Sequence, residues 1–356
     1  MAVQESPGAV ASLDSFLNDL MDFAAAHAGF TRLSNTTVNG STLYRLSRTG
    51  DSTMYWGFRQ YYYSSGSATG QGTYGRYSIR GRCMLTTPTS SNFWSNISDT
   101  GPASTCCMGI YYLSPPFAGY KFFTDGNNVF AVLEIQQGIY AHMAFGNVRK
   151  LTPFHGGEYL VATNGSRSSP YVQYPWYKPG QESSSHEGAQ WLFSSAIKSY
   201  DDGLSSSADG CGAIRFRNTY GDYRDFALVG QTRGLDASGQ KVSAKGTVAY
   251  STGTTSAAGA LADTDASTFR IAGKNNPTMR SPLLPIYLTR SNDETEYNTC
   301  YIFAAVDSIR TVNMANLEPA TVTLGNWQCY PLAQKYGDIY TAPTSTFTGI
   351  AYLIDD

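Results

Sequence analysis

After Gly29 the sequence stops reading as helix and does not resume. From there on the apolar residues fall in short runs rich in Tyr, Phe, Val, Ile and Thr, divided by Gly, Ser, Asn, Asp and Pro, which is the pattern of strands joined by turns. Strands are expected over 42–48, 54–63, 75–85, 108–113, 129–136, 139–146 and 159–162, and again over 283–288, 300–309, 322–324, 327–332 and 348–353. Asp125-Gly126 stands between apolar runs and signals a hairpin, because both residues tolerate positive φ. Gln136-Gln137-Gly138 marks the next reversal. No internal repeat of fixed period is present. The fold class this predicts is mainly β, with antiparallel sandwich- or barrel-like lobes and one amino-terminal amphipathic helix.

That helix is written over 12–28, where Leu13, Phe16, Leu17, Leu20, Met21, Ala24 and Ala28 recur every three or four residues. Ser12 is placed to cap its first turn and Gly29 to end it in a left-handed conformation. Two readings stay open: the helix packs on the edge of a sheet, or it docks on a neighbouring subunit. Phe16, Leu17, Leu20, Phe145 and Trp327 are the candidate structural core. Trp327 follows the turn signal Gly325-Asn326, with apolar residues alternating before it and Cys329 resuming on the same face after it. That spacing predicts a hairpin with a buried, anchoring indole.

A chain of 356 residues is long enough for two domains. Residues 164–188 are rich in Gly, Ser and Pro, and 247–267 are mostly Ala, Gly, Ser and Thr, so both are expected to be long surface loops that order against a partner. The expected organisation is an arm and helix over 1–30, one β lobe over 31–165 and a second over 166–356.

Charged residues make up only 15 % of the chain, against roughly 25 % in ordinary soluble domains. Their place is taken largely by small polar residues and by 26 tyrosines, a composition suited to lasting contact with other protein. A net charge of -2 gives no overall drive toward nucleic acid or an anionic membrane, and neither is an expected partner. No apolar stretch is long enough to insert as a membrane helix. The amino terminus shows no basic segment followed by an apolar run, so no secretory leader is expected. Six cysteines (Cys83, Cys106, Cys107, Cys211, Cys300 and Cys329) without a CxxC pair read as buried thiols rather than disulfides or zinc ligands.

Catalytic chemistry finds little to build on. His27, His142, His155 and His186 are the general bases available near neutral pH, and none sits in a catalytic motif. His155-Gly156-Gly157-Glu158 reads as a turn, since a metal would need further ligands that cannot be named. A carboxylate pair for glycoside hydrolysis would have to come from Asp125, Glu134, Glu158, Asp201, Asp202, Asp222 and Asp225, several of which turn chemistry already explains. No catalytic, cofactor-binding or metal-binding residue is therefore assigned, and no cofactor is expected. Between residues 45 and 82 the chain instead concentrates Arg45, Arg48, Arg59, Arg76, Arg80 and Arg82, with Tyr55, Trp56, Tyr61, Tyr62 and Tyr63 among them and Asp51 as the single acid. Such mixing suits a protein interface or a single-stranded nucleic acid, and the near-neutral chain favours the interface.

Several phrases resemble one family. They are YAHMAFGNVRK at 140–150, GGEY at 156–159, RSPLLPIY at 280–287, LEPATVTLGNW at 317–327 and GIAY at 349–352, with an echo in YWGF at 55–58. Together they are similar to virion structural proteins of tailed bacteriophages. Phe154-His155 departs from the aromatic-rich phrase expected before Gly156, so no functional residue is carried over there. The resemblance implies a tail component, of the baseplate or tail tip, assembled in the host cytoplasm with other virion proteins and with copies of itself, and without enzymatic activity. The alternatives are a receptor-binding or glycan-degrading tail protein, and a position in the head–tail connector, the collar or the head decoration.

Overall fold

The computed structural model describes residues 1–38, 40–50, 53–63, 76–84, 86–89, 104–111, 115–152, 157–162, 164–165, 173–176, 189–190, 213–217, 223–229, 283–291, 300–313, 322–331 and 348–355. The chain opens with strand β1 (Ala2–Glu5) and helix α1 (Leu13–His27), followed by β2 (Thr31–Val38), β3 (Ser41–Thr49), β4 (Thr53–Tyr63), β5 (Arg76–Met84) and β6 (Ser104–Tyr111). Next come β7 (Gly119–Thr124), β8 (Asn128–Gln136), β9 (Ile139–Asn147), β10 (Arg149–Lys150) and β11 (Glu158–Ala162), then the short β12 (Asn164–Gly165), β13 (Gln173–Trp176) and β14 (Ala189–Gln190). The remaining strands are β15 (Ala213–Arg217), β16 (Tyr223–Val229), β17 (Leu283–Ser291), β18 (Cys300–Asn313), β19 (Val322–Leu324), β20 (Trp327–Pro331) and β21 (Thr348–Leu353). The protein is mainly β, with antiparallel sheets and one helix near the amino terminus.

Strands β2 to β6 form a five-stranded meander in sequence order, and a longer sheet runs β1-β7-β8-β9-β11-β15-β16-β17-β18-β21-β20-β19. Helix α1 packs on β2, β3, β4 and β7. Its ends are set by local chemistry: the Ser12 hydroxyl accepts from the Ser15 amide at 3.1 Å, and Gly29 follows at φ 67°, where a side chain would be strained. Phe16, Leu17, Leu20, Met21 and Ala24 are fully buried against the chain's own sheets, so this apolar face is not left for a neighbour. Tyrosines tie the polar flank: the Tyr120 hydroxyl donates to Asp19 Oδ2 at 2.9 Å and the Tyr44 hydroxyl to Asp14 at 3.2 Å. Arg32 adds an ion pair with Asp22.

The strands β7, β8, β9 and β11 are buried on both faces. One face carries Phe122, Ala131, Leu133, Met143, Phe145 and Leu160 into a core shared with α1 and with Leu46, Trp56, Phe58 and Ile79 of the meander. The other face carries Phe123, Phe130, Tyr140 and His142 to the carboxy-terminal strands, where Tyr352 stacks on Phe123 with centroids 4.8 Å apart and Tyr330 meets Tyr140 edge-on at 5.2 Å. The His142 Nδ1 and the Tyr352 hydroxyl share a hydrogen bond of 2.9 Å inside this layer. Strands from the last quarter of the chain thus pack directly on strands from the first half. The sheet also continues across residue 165, because Tyr159 of β11 pairs with Phe216 of β15.

The carboxy-terminal hairpin forms as its spacing predicts, with Leu324 opposite Trp327 and Gly325 at φ 59°. Its orientation differs from expectation. Alternation gives a hairpin two faces, and here Tyr330 and Tyr352 point into the aromatic layer while Trp327 and Cys329 share the opposite face with Val312 and Ala351. Trp327 is only partly buried there, with the Arg310 guanidinium 4.6 Å above its ring. The buried anchors of this hairpin layer are therefore the two tyrosines. Of the two expected loops, 164–188 contains β12 and β13, and 247–267 lies outside the described residues. Strands β15 and β16 were not anticipated from the sequence.

Candidate interaction surface

The five-stranded meander is the most unusual chemical object in the protein. Its strands contain seven arginines (Arg32, Arg45, Arg48, Arg59, Arg76, Arg80 and Arg82), no lysine, and no aspartate or glutamate. Strand alternation sorts them. Leu46 pairs with Trp56 and Trp56 with Cys83, all buried, so positions in phase with them belong to the core face. The opposite phase runs Leu43–Arg59–Arg80–Cys107 across β3 to β6, beside Arg45–Gly57–Arg82–Thr105. Further along, Tyr61 pairs with Ser78, and Tyr63 pairs with Arg76, which pairs with Tyr111. By register, five arginines and the tyrosines 55, 61, 63 and 111 thus share the face of the sheet opposite the Trp56 side, a face on which Leu43, Arg59 and Met84 are themselves buried.

For Tyr61, Tyr62, Tyr63, Arg76, Arg80 and Arg82 the register alone is described. Arg45 is half-buried and donates to the Ser34 carbonyl at 2.9 Å and to the Pro88 carbonyl at 3.1 Å. Arg59 is 3 % exposed and donates to the Val38 carbonyl at 3.0 Å. Carbonyl oxygens help to orient both guanidinium groups. Arg59 and Arg80 are direct cross-strand partners in register.

Two residues leave the expected cluster. Arg48 pairs with Met54 on the core-side phase, lies 5.4 Å over the Phe30 ring, and donates to the Asn127 carbonyl and Oδ1, both at 2.7 Å. Burial pulls its pKa below the usual arginine value. Tyr62 likewise takes a core-side register position, opposite Tyr77. Sequence proximity grouped these residues; the two-residue period of a strand separates them. The same period, applied to β4 to β6, would have found the added member Tyr111.

The other candidate groups serve the fold. Asp125 closes the β7–β8 turn: Oδ1 accepts from the Asn127 and Asn128 amides at 2.8 and 2.7 Å, and Oδ2 accepts from Asn128 Nδ2 at 2.9 Å and the Ser308 hydroxyl at 2.8 Å. Glu134 Oε1 accepts from the Gly138 amide at 3.1 Å, and Glu158 is buried on β11. His142 is enclosed against Tyr352, and His27 lies exposed in the last turn of α1. His155, His186, Asp201, Asp202 and Asp222 lie outside the described residues, as does the side chain of Asp225. Cys83 and Cys329 are buried, and Cys329 is a free thiol. Among the described residues no three histidines, cysteines or acids cluster to hold a metal, and no helix is long and apolar enough to cross a membrane. No protein-family model matches the chain, and no curated protein matches it.

Proposed function

We propose that this chain is a structural component of a tailed-phage virion, acting in the tail at the baseplate or tip through protein–protein contacts made during assembly. The observation that carries the reading is the five-stranded sheet: seven arginines without one acid, in a chain that is otherwise poor in charge. An arginine- and tyrosine-bearing surface is the composition of an interface anchor. Asp125 and Glu134 hold turns and Glu158 is enclosed, so these three acids are committed to the fold rather than poised as an acid and base pair. The phage-like phrases at 140–150 and 317–327 add the assembly context.

The test is genetic and biochemical. Deleting the coding sequence from the phage that carries it should abolish complete tails, and the chain should be recovered from purified wild-type particles at fixed stoichiometry. Infectious particles lacking the chain would overturn the reading, as would carboxylate-dependent shortening of host capsule or lipopolysaccharide by the purified protein.

A further inference from the structure

We infer that the fold holds one ordered water molecule over Gly146, accepting a hydrogen bond from the Tyr159 hydroxyl and donating one to Asn128 Oδ1. Asn128 of β8, Gly146 of β9 and Tyr159 of β11 are successive cross-strand partners. The side chains of Asn128 and Tyr159 therefore stand on the same face, on either side of a residue that has none. It is the face turned toward the carboxy-terminal strands, since Phe130 next in phase to Asn128 meets Tyr352 there. Tyr159 is fully buried and Asn128 is 4 % exposed, yet neither the Tyr159 hydroxyl nor Asn128 Oδ1 has a hydrogen-bond partner among the described residues. Buried polar groups are almost always bonded, because an unbonded one forfeits its hydration with nothing in return.

The neighbouring bonds fix what can bind. Asn128 Nδ2 donates to Asp125 Oδ2 at 2.9 Å, which orients the amide and leaves its oxygen turned away from the carboxylate. A Cβ on Gly146 would lie 2.8 Å from that oxygen, so Oδ1 lies against the glycine, inside the row. Asp125 and Tyr352 both raise the Tyr159 pKa, so the phenol lies near the polar turn as well as near the aromatic layer. Asp125 has no lone pair left for it: Oδ1 accepts the Asn127 and Asn128 amides, and Oδ2 accepts Asn128 Nδ2 and the Ser308 hydroxyl. The two remaining atoms are complementary, one a hydroxyl donor and the other a carbonyl acceptor, and no bond joins them directly. A water supplies both missing partners at once, as acceptor for the phenol and donor to the amide. A metal cation does not suit the pair, since the phenol would present it a proton and Asp125 is already taken up by four donors.

The test has two independent readouts. A high-resolution crystal structure of the wild-type chain should show one ordered water within hydrogen-bond distance of both Tyr159 Oη and Asn128 Oδ1. In urea unfolding, Tyr159→Phe should raise the unfolding equilibrium constant about five- to tenfold, because the water loses its donor. A hydroxyl left dry predicts the opposite sign: removing it would leave the constant unchanged or lower it, since only the unfolded chain could hydrate the group. The variant keeps the ring and its packing, and the crystal result needs no variant to fold. The absence of solvent density between the two atoms, a direct bond from the Tyr159 hydroxyl to a protein acceptor, or a Tyr159→Phe chain as stable as wild type would each overturn the inference.

Discussion

Replacing Tyr352 tests whether the carboxy-terminal strands are held where the structure puts them. The ring is fully buried, stacks on Phe123 at 4.8 Å, and contacts Phe130 at 5.6 Å and Tyr330 at 5.9 Å. Its hydroxyl is bonded to His142 Nδ1 at 2.9 Å. Tyr352→Phe keeps the ring and removes that bond within a dry layer, which should cost about 1–3 kcal/mol. Tyr352→Ala empties a ring-sized volume as well and should cost about 3–5 kcal/mol, a large share of a typical 5–15 kcal/mol stability. Trp327→Ala removes a half-exposed ring whose close partner is a guanidinium and should cost only about 1–2 kcal/mol. Urea unfolding followed by fluorescence, with a common m-value, measures all three. The expected order is Tyr352→Ala, then Tyr352→Phe and Trp327→Ala together. A Tyr352→Ala variant within about 1 kcal/mol of wild type, or less affected than Trp327→Ala, would refute the aromatic layer as the anchor.

Three further outcomes follow from local geometry. Gly146 has φ 144°, and a Cβ there would lie 2.4 Å from the Asn127 carbonyl oxygen, so Gly146→Ala should destabilise by about 3 kcal/mol or more, read as a lower urea midpoint; an unchanged midpoint would contradict the close approach. Burial pushes the phenols of Tyr159 and Tyr352 well above their ordinary 10.0, so the folded state keeps protons that the unfolded state releases. Their contribution is intact below about pH 10 and falls above it by about 1.4 kcal/mol per pH unit for each tyrosine, and a urea midpoint that is flat from about pH 9 to about pH 11 would contradict this. Burial also pushes the Cys329 thiol up to about 12, so a thiol reagent near pH 8 should label it at least about 100-fold more slowly in native protein than in denaturant.

The parts legible in the sequence were those set by neighbouring residues. Ser12 and Gly29 mark the helix because capping and left-handed turning involve one or two residues. Asp125-Gly126 marks its hairpin because the carboxylate satisfies the amides two and three residues on. Phe16, Leu17, Leu20 and Phe145 are buried, each in a periodic apolar setting. What could not be read was which face of an alternating strand turns inward, since Trp327 and Tyr330 sit on opposite faces of one short strand and both are aromatic. For the same reason the arginines 45 to 82 could be gathered into a segment but not sorted into a face. Pairing between distant segments, such as Tyr159 with Phe216, has no local signature.

The position of β21 governs when this molecule can finish folding. It lies between β18 and β20, with Val312 opposite Gly349 and Cys329 opposite Ala351. As the ribosome extends the chain, β18, β19 and β20 emerge first, yet β20 has no place on β18 until residues 348–353 follow. Until then the nascent chain holds an open edge on β18 and a detached hairpin, with Phe123, Phe130 and Tyr140 uncovered. Closure of these long-range contacts is therefore expected to be slow and to come after synthesis of this region, leaving a window in which the uncovered aromatic face is open to aggregation or to a chaperone.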